Sequence, residues 1–244
     1  MKYPLIAVMF AASLASSSGQ NIVNFTSVYG SSNVDIGTSL TITGLGINDE
    51  LVITSRSIVD SSSPSDPNAS AGYEIAHLVW DGDSNPYKTG MGVQPEQGSG
   101  STGISGGGGD QDEEMTFTYS NGGVSLDSIS LTINDLKSKD DDPIMWIYTT
   151  AGQFLIDEAA IFGAGTANVD GAGASEAADS WTIDFAGFAG IVGGTNETVT
   201  SFTLREPTGH TFIKATEFGT AVPEPGSALL AGFASSLMLL RRKR

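Results

Sequence analysis

Apolar and polar residues alternate one for one in a series of short segments between Gln20 and Phe218. In SLTIT, Leu40 and Ile42 share one face; in MTFTY, Met115, Phe117 and Tyr119 do so. SISLTI sets Ile129, Leu131 and Ile133 against Ser128, Ser130 and Thr132. SWTIDF sets Trp181, Ile183 and Phe185 against Thr182 and Asp184, and TSFTL offers Phe202 and Leu204. A period of two in threonine- and aromatic-rich runs predicts strands buried on one side. IMWIY (Ile144–Tyr148) is apolar on both faces, which predicts a central strand. GQFLIDEAAIFG (Gly152–Gly163) is the main candidate for a helix, and periodicity alone does not decide it.

Between these segments lie polar stretches rich in glycine, serine, asparagine and aspartate. DSSSPSDPNAS (Asp60–Ser70), QGSGSTGISGGGGDQDEE (Gln97–Glu114) and GAGTANVDGAGAS (Gly163–Ser175) read as loops or spacers. Many short strands and few helices predict a mostly β fold, an antiparallel β-sandwich of jelly-roll type with long Gly/Ser-rich loops. A single domain over residues 20–220 is expected, because neither half has enough strands to close a core alone.

Charge narrows the partners. Residues 20–222 hold 27 acidic and 6 basic side chains, a net charge of −21. Such a body repels phosphate backbones and anionic lipid, which argues against nucleic-acid binding. Cysteine is absent, so disulfides, thiolate metal sites and a cysteine nucleophile are excluded.

Both ends depart from the body. Lys2 supplies a positive start, LIAVMFAASLA (Leu5–Ala15) an apolar stretch, and SSSG small residues that suit signal peptidase. Residues 1–19 therefore read as an export signal, with the Gly19–Gln20 and Ala15–Ser16 bonds as candidate cleavage points. At the other end, Pro223-Glu224-Pro225 precedes 15 uncharged residues, Gly226–Leu240, and then Arg241-Arg242-Lys243-Arg244. As a helix the uncharged run spans about 22 Å, short of the roughly 30 Å of a bilayer core. It reads as a marginal transmembrane helix whose basic block stays cytoplasmic and leaves the acidic body outside.

The order of these three parts over residues 221–244 resembles the PEP-CTERM sorting signal of bacterial exported proteins. The resemblance implies recognition by an exosortase-like membrane enzyme that processes the tail at or near Pro223, Glu224 and Pro225. It also implies a didermal bacterium that makes exopolysaccharide, with a product in the cell envelope, at the cell surface or outside. The physical logic agrees, since the two prolines hold the motif extended and out of the helix.

Catalytic signatures are sparse. The two histidines, His77 and His210, lie far apart and outside any H-E-x-x-H, and no G-x-S-x-G or P-loop is present. Trp80, Tyr87 and Trp146 are candidates for stacking on sugar rings, with ordinary core roles as the alternative. DGDSN places Asp81, Asp83 and Asn85 at alternate positions, the start of an oxygen-ligand loop for calcium. Pro86 and Gly92 then stand where an EF-hand would need glycine and glutamate. A second acidic turn, KDDDP with Asp140, Asp141 and Asp142, could complete such a shell. The expected function is a non-catalytic cell-surface or matrix protein that binds exopolysaccharide. The alternative is a secreted glycan-active hydrolase with the same tail.

Overall fold

The computed structural model describes residues 20–43, 50–59, 72–82, 89–95, 104–106, 111–120, 122–136, 142–168, 180–206 and 209–219. These residues are mostly β-strand, with antiparallel pairing throughout and only short helices among them. In chain order the first strands are β1 (Gln20–Asn24), β2 (Val34–Gly37), β3 (Ser39–Thr43), β4 (Glu50–Val59), β5 (Gly72–Asp81) and β6 (Gly90–Pro95). There follow β7 (Ile104–Gly106), β8 (Gln111–Tyr119), β9 (Val124–Ser125), β10 (Ile129–Asn134) and β11 (Ile144–Thr149). The last are β12 (Gln153–Ile156), β13 (Gly165–Asn168), β14 (Ser180–Asp184), β15 (Thr198–Glu206) and β16 (Gly209–Gly219). Helices α1 (Thr26–Tyr29), α2 (Glu158–Ala164) and α3 (Ala189–Val192) sit between them.

The strands divide into two sheets. Sheet I runs β2-β5-β6-β16-β10-β14-β13, with β1 along β16. Sheet II runs β4-β8-β15-β11-β12, with β3 beside β4 and β9 beside β15. Two long strands belong to both. Residues 72–75 of β5 pair with β4 in sheet II, and residues 76–81 pair with β6 in sheet I. Residues 209–211 of β16 pair with β7, which joins sheet II through β8, and residues 212–218 pair with β10 in sheet I.

The alternation read from the sequence sets what each sheet turns inward. Leu40 and Ile42 are buried between exposed Ser39, Thr41 and Thr43. Met115 and Phe117 of β8, with Phe202 and Leu204 of β15, meet Leu131, Ile133 and Ile183 of sheet I in one hydrophobic cluster. Phe202 stacks on Phe117 at 4.5 Å and takes the edge of Phe185, just beyond β14, at 4.9 Å. The two sheets thus share a core in a sandwich-like arrangement. Strand β11 lies between β12 and β15, and its Met145, Trp146 and Ile147 are all buried, as a central strand requires.

Three stretches differ from their sequence reading. The Gly152–Gly163 stretch is not one helix: β12 comes first, and α2 begins after Asp157. Asp157 takes an extended conformation and its carboxylate accepts the Ala160 N–H at 3.0 Å, so a cap residue marks the switch. The stretch read as a spacer at Gln97–Glu114 contains β7, and its acidic end opens β8. The Gly163–Ser175 spacer begins as the end of α2 and continues as β13. Among the described residues no helix is long and apolar enough to cross a membrane. The expected export signal (1–19) and the sorting tail (221–244) lie outside the described residues.

Candidate functional site

The outward face of sheet II carries the most distinctive surface chemistry. Strand pairing aligns side chains in rows across five strands, β3-β4-β8-β15-β11, over about 19 Å. One row is Ser39, Thr54, Thr116, Thr203 and Trp146. Two residues further along the strands, the next is Thr41, Val52, Thr118, Ser201 and Tyr148. Ser39, Thr41, Thr54 and Thr118 are exposed, and Thr116 and Thr203 share a hydroxyl–hydroxyl hydrogen bond of 2.9 Å. Neither row contains a charge, on a body whose net charge is −21. Each hydroxyl can donate once and accept twice, and each threonine adds a methyl group. Such a surface suits an uncharged polyhydroxyl ligand better than a polyanion or an apolar partner.

A third row bounds this face. Arg56 of β4, Glu114 of β8 and Arg205 of β15 are aligned by the same register. Arg56 Nε donates to Glu114 Oε1, and Arg205 donates to Oε2 through Nη2 at 2.8 Å and Nε at 3.3 Å. Glu114 and Arg205 are fully buried, whereas the Arg56 side chain is 35% exposed. Arg205 Cζ lies 4.6 Å from the centre of the Trp146 ring, a cation–π contact that fixes both. This row ties three strands together, and burial keeps its Glu114 and Arg205 from any soluble ligand. Sequence reading took QDEE for the acidic end of a spacer and missed it. The one available signal was that an arginine, Arg205, follows directly on the apolar run of TSFTL.

The aromatic candidates resolve differently. Trp80 and Trp146 are each 1% exposed, which corrects their reading as sugar platforms. Trp80 points into the core, where its Nε1 donates to the Gly30 carbonyl at 3.0 Å and its ring leans on Tyr29 at 5.5 Å. Tyr87 lies outside the described residues. Half-buried Tyr148, at the end of the second hydroxyl row, is the aromatic group nearest that role, and sequence reading did not single it out.

Of the calcium-loop residues, Asp81 ends β5, while Asp83 and Asn85 lie outside the described residues. The loop's start is pinned. Gly82 donates its N–H to Asn33 Oδ1 at 2.9 Å, and a Cβ there would fall 2.4 Å from the Ser31 carbonyl carbon. His77 Nδ1 lies 3.1 Å from both carboxylate oxygens of Asp35, a surface pair. His210 is in β16. In the second acidic turn Asp142 alone is described, and its backbone N–H donates to Glu206 Oε1 at 3.0 Å. No group of three His, Cys, Asp or Glu side chains placed to hold a metal exists among the described residues. Pro223, Glu224, Pro225, Arg241, Arg242, Lys243 and Arg244 lie outside them.

No protein-family model, curated protein or solved structure matches this chain.

Proposed function

We propose that this chain is an exported, non-catalytic component of a bacterial cell surface or extracellular matrix, sorted by an exosortase and associated with exopolysaccharide. The observation that carries the reading is the succession of Pro223-Glu224-Pro225, an uncharged run and a block of four bases. Its body, residues 20–220, is one jelly-roll-like sandwich. The uncharged hydroxyl rows of sheet II support the association with a glycan, because their hydroxyls can exchange hydrogen bonds with an uncharged polyhydroxyl chain.

Mass spectrometry of the C-terminus tests the sorting step. Protein from the cell surface and the medium is expected to lack Met1–Ala15 and Gly226–Arg244. Glu224→Ala, or deletion of Arg241–Arg244, should leave precursor in the inner membrane. Recovery of an intact LLRRKR end from the medium overturns the reading. The glycan association is checked by electrophoresis through gels containing dextran or hydroxyethylcellulose. Retardation by such a neutral polymer should be lost in Thr54→Glu with Thr118→Glu. Reducing ends released over time would mark a hydrolase instead.

A further inference from the structure

Among the described residues two large hydrophobic side chains stand well out in solvent, Leu155 and Ile191, each 44% exposed. They occur together. Leu155 lies on β12, the last strand of sheet II, and α3, which carries Ile191, packs against that strand. Strand β12 reads Gln153-Phe154-Leu155-Ile156, with no charge, proline or glycine, and it pairs with β11 without a register shift. Other outer strands are defended against pairing. Strand β2 carries Asp35 and a register shift, and β3 turns only Ser39, Thr41 and Thr43 to solvent. An edge without such devices is a template for a further strand.

The phase of the hydrogen bonds fixes what this edge offers. Across the β11–β12 turn, the Thr149 N–H donates to the Gly152 carbonyl at 2.8 Å and the Gly152 N–H to the Thr149 carbonyl at 3.3 Å. Bonded and non-bonded pairs alternate along an antiparallel ladder, so Phe154 and Ile156 also bond β11, opposite Ile147 and Met145. Gln153 and Leu155 therefore turn their N–H and C=O groups away from the sheet. Asp157 comes next in that phase, but its carbonyl already accepts the Ile161 N–H at 3.0 Å. The open edge is thus Gln153 and Leu155.

We propose that this edge pairs with the same edge of a second copy, β12 antiparallel to β12, about a two-fold axis at Phe154. In that register Gln153 of each copy faces Leu155 of the other, and every outward N–H and C=O of the two residues finds a partner. The axis stands perpendicular to the sheet, so the outward faces of both copies stay on one side. The two Leu155 side chains then lie diagonally across the seam, about 7–8 Å apart and within reach of each other. Charge selects this occupant. The body, with a net charge of −21, repels acidic partners, and a basic partner finds no acid on β12 to hold it. Self-pairing joins neutral strand to neutral strand and sets Asp157 of one copy opposite Ala151, in the uncharged hairpin turn of the other. The pairing merges sheet II of both copies and uses up the edge, so assembly closes at two. A seam of four residues is short, which makes the dimer weak and dependent on concentration.

Sedimentation equilibrium of the full chain tests this, in a density-matched nonionic detergent that keeps the apolar ends from associating. The mass is expected to rise from one chain towards two between about 1 and about 100 μM, the regime of small transient interfaces. Raising sodium chloride from about 0.01 to about 0.15 M should tighten the dimer at least threefold, because screening weakens the repulsion between acidic bodies and spares the apolar seam. Leu155→Lys with Ile191→Lys should keep the chain monomeric at unchanged circular dichroism, even though the added positive charge lowers that repulsion. Ser39→Lys with Thr43→Lys makes the same charge change on β3 and should leave the dimer intact. Should the lysines at β12 disturb the fold, Leu155→Thr with Ile191→Thr decides instead, and should weaken the dimer at least tenfold. A wild-type chain that stays monomeric throughout overturns the pairing. So does a dimer that survives the β12 substitutions or is lost in the β3 pair, or a mass that grows beyond two chains.

Discussion

Glu114 shows how much of a residue's role depends on partners far away in the chain. It accepts hydrogen bonds from Arg56 and from Arg205, the latter 91 residues further on. Sequence reading sees only an acid among acids, because cross-strand register is not written in local composition. The two arginines differ in worth. Arg205 is buried, and its loss leaves Glu114 with an uncompensated charge on that side, so Arg205→Ala is expected to cost about 3–5 kcal/mol. Arg56 is a third exposed, and water screens its contribution, so Arg56→Ala should cost no more than about 1 kcal/mol. Urea unfolding of the two variants measures the difference, and equal losses would contradict this assignment. Tyr119 gives a second prediction at this scale. Burial raises its phenol above the ordinary value of 10.0. The folded state therefore holds the proton after the unfolded state has released it. The stability contributed is complete below about pH 10 and is lost as pH rises beyond it. Tyr29 is shifted upward by burial as well, so it adds to the same alkaline loss. Tyr119→Phe should flatten the fall in unfolding free energy between about pH 9 and about pH 11. A slope identical to wild type would show that Tyr119 does not carry it.

Elements were legible where apolar and polar residues alternate cleanly along a short run. Leu40 and Ile42, Met115 and Phe117, and Phe202 and Leu204 all fall where the period of two puts them, because the pleat leaves no other inward positions. Legibility failed where polar residues entered a strand. Gln111–Glu114 has no apolar residue to reveal a period, yet it pairs with β4 and β15 through its backbone. It failed again at Asp157, where a strand gives way to a helix within one residue and two periods overlap. Turns are set by closer constraints. Gly123, between β8 and β9, has φ of +94°, and a Cβ there would stand 2.3 Å from the Val199 carbonyl oxygen. Both the left-handed backbone and the approach of β15 exclude a side chain. Gly123→Ala is therefore expected to destabilise by about 1–3 kcal/mol, whereas Gly122→Ala, equally left-handed but with open space around it, should cost less. Thermal melts of the pair separate steric contact from backbone strain. Equal shifts would mean that β15 yields without cost.

At the scale of the whole molecule, what the sequence could not disclose is where one sheet becomes the other. Strands β5 and β16 each change partners part-way along, and nothing in a period-two pattern marks the residue at which they do so. The charge of the body, by contrast, was legible throughout, since a net of −21 over residues 20–222 needs no fold to be counted. Its consequence is global self-repulsion, which favours expanded states over the compact one. The Arg56–Glu114–Arg205 row does not relieve it, because that row is local and its Glu114 and Arg205 are shielded from solvent. Screening should relieve it. The Debye length falls from about 30 Å at 0.01 M salt to about 8 Å at 0.15 M, so acids spread over a domain stop sensing one another while buried pairs change little. The melting temperature is expected to rise steadily as sodium chloride increases over this range, with the chelator-stripped protein used so that no divalent ion contributes. Potassium chloride should give the same curve, because screening depends on ionic strength and not on the ion. A melting temperature that stays flat or falls would show that attractive surface pairs outweigh the repulsion, and that the acidic surface is organised by its six basic residues more than their number suggests.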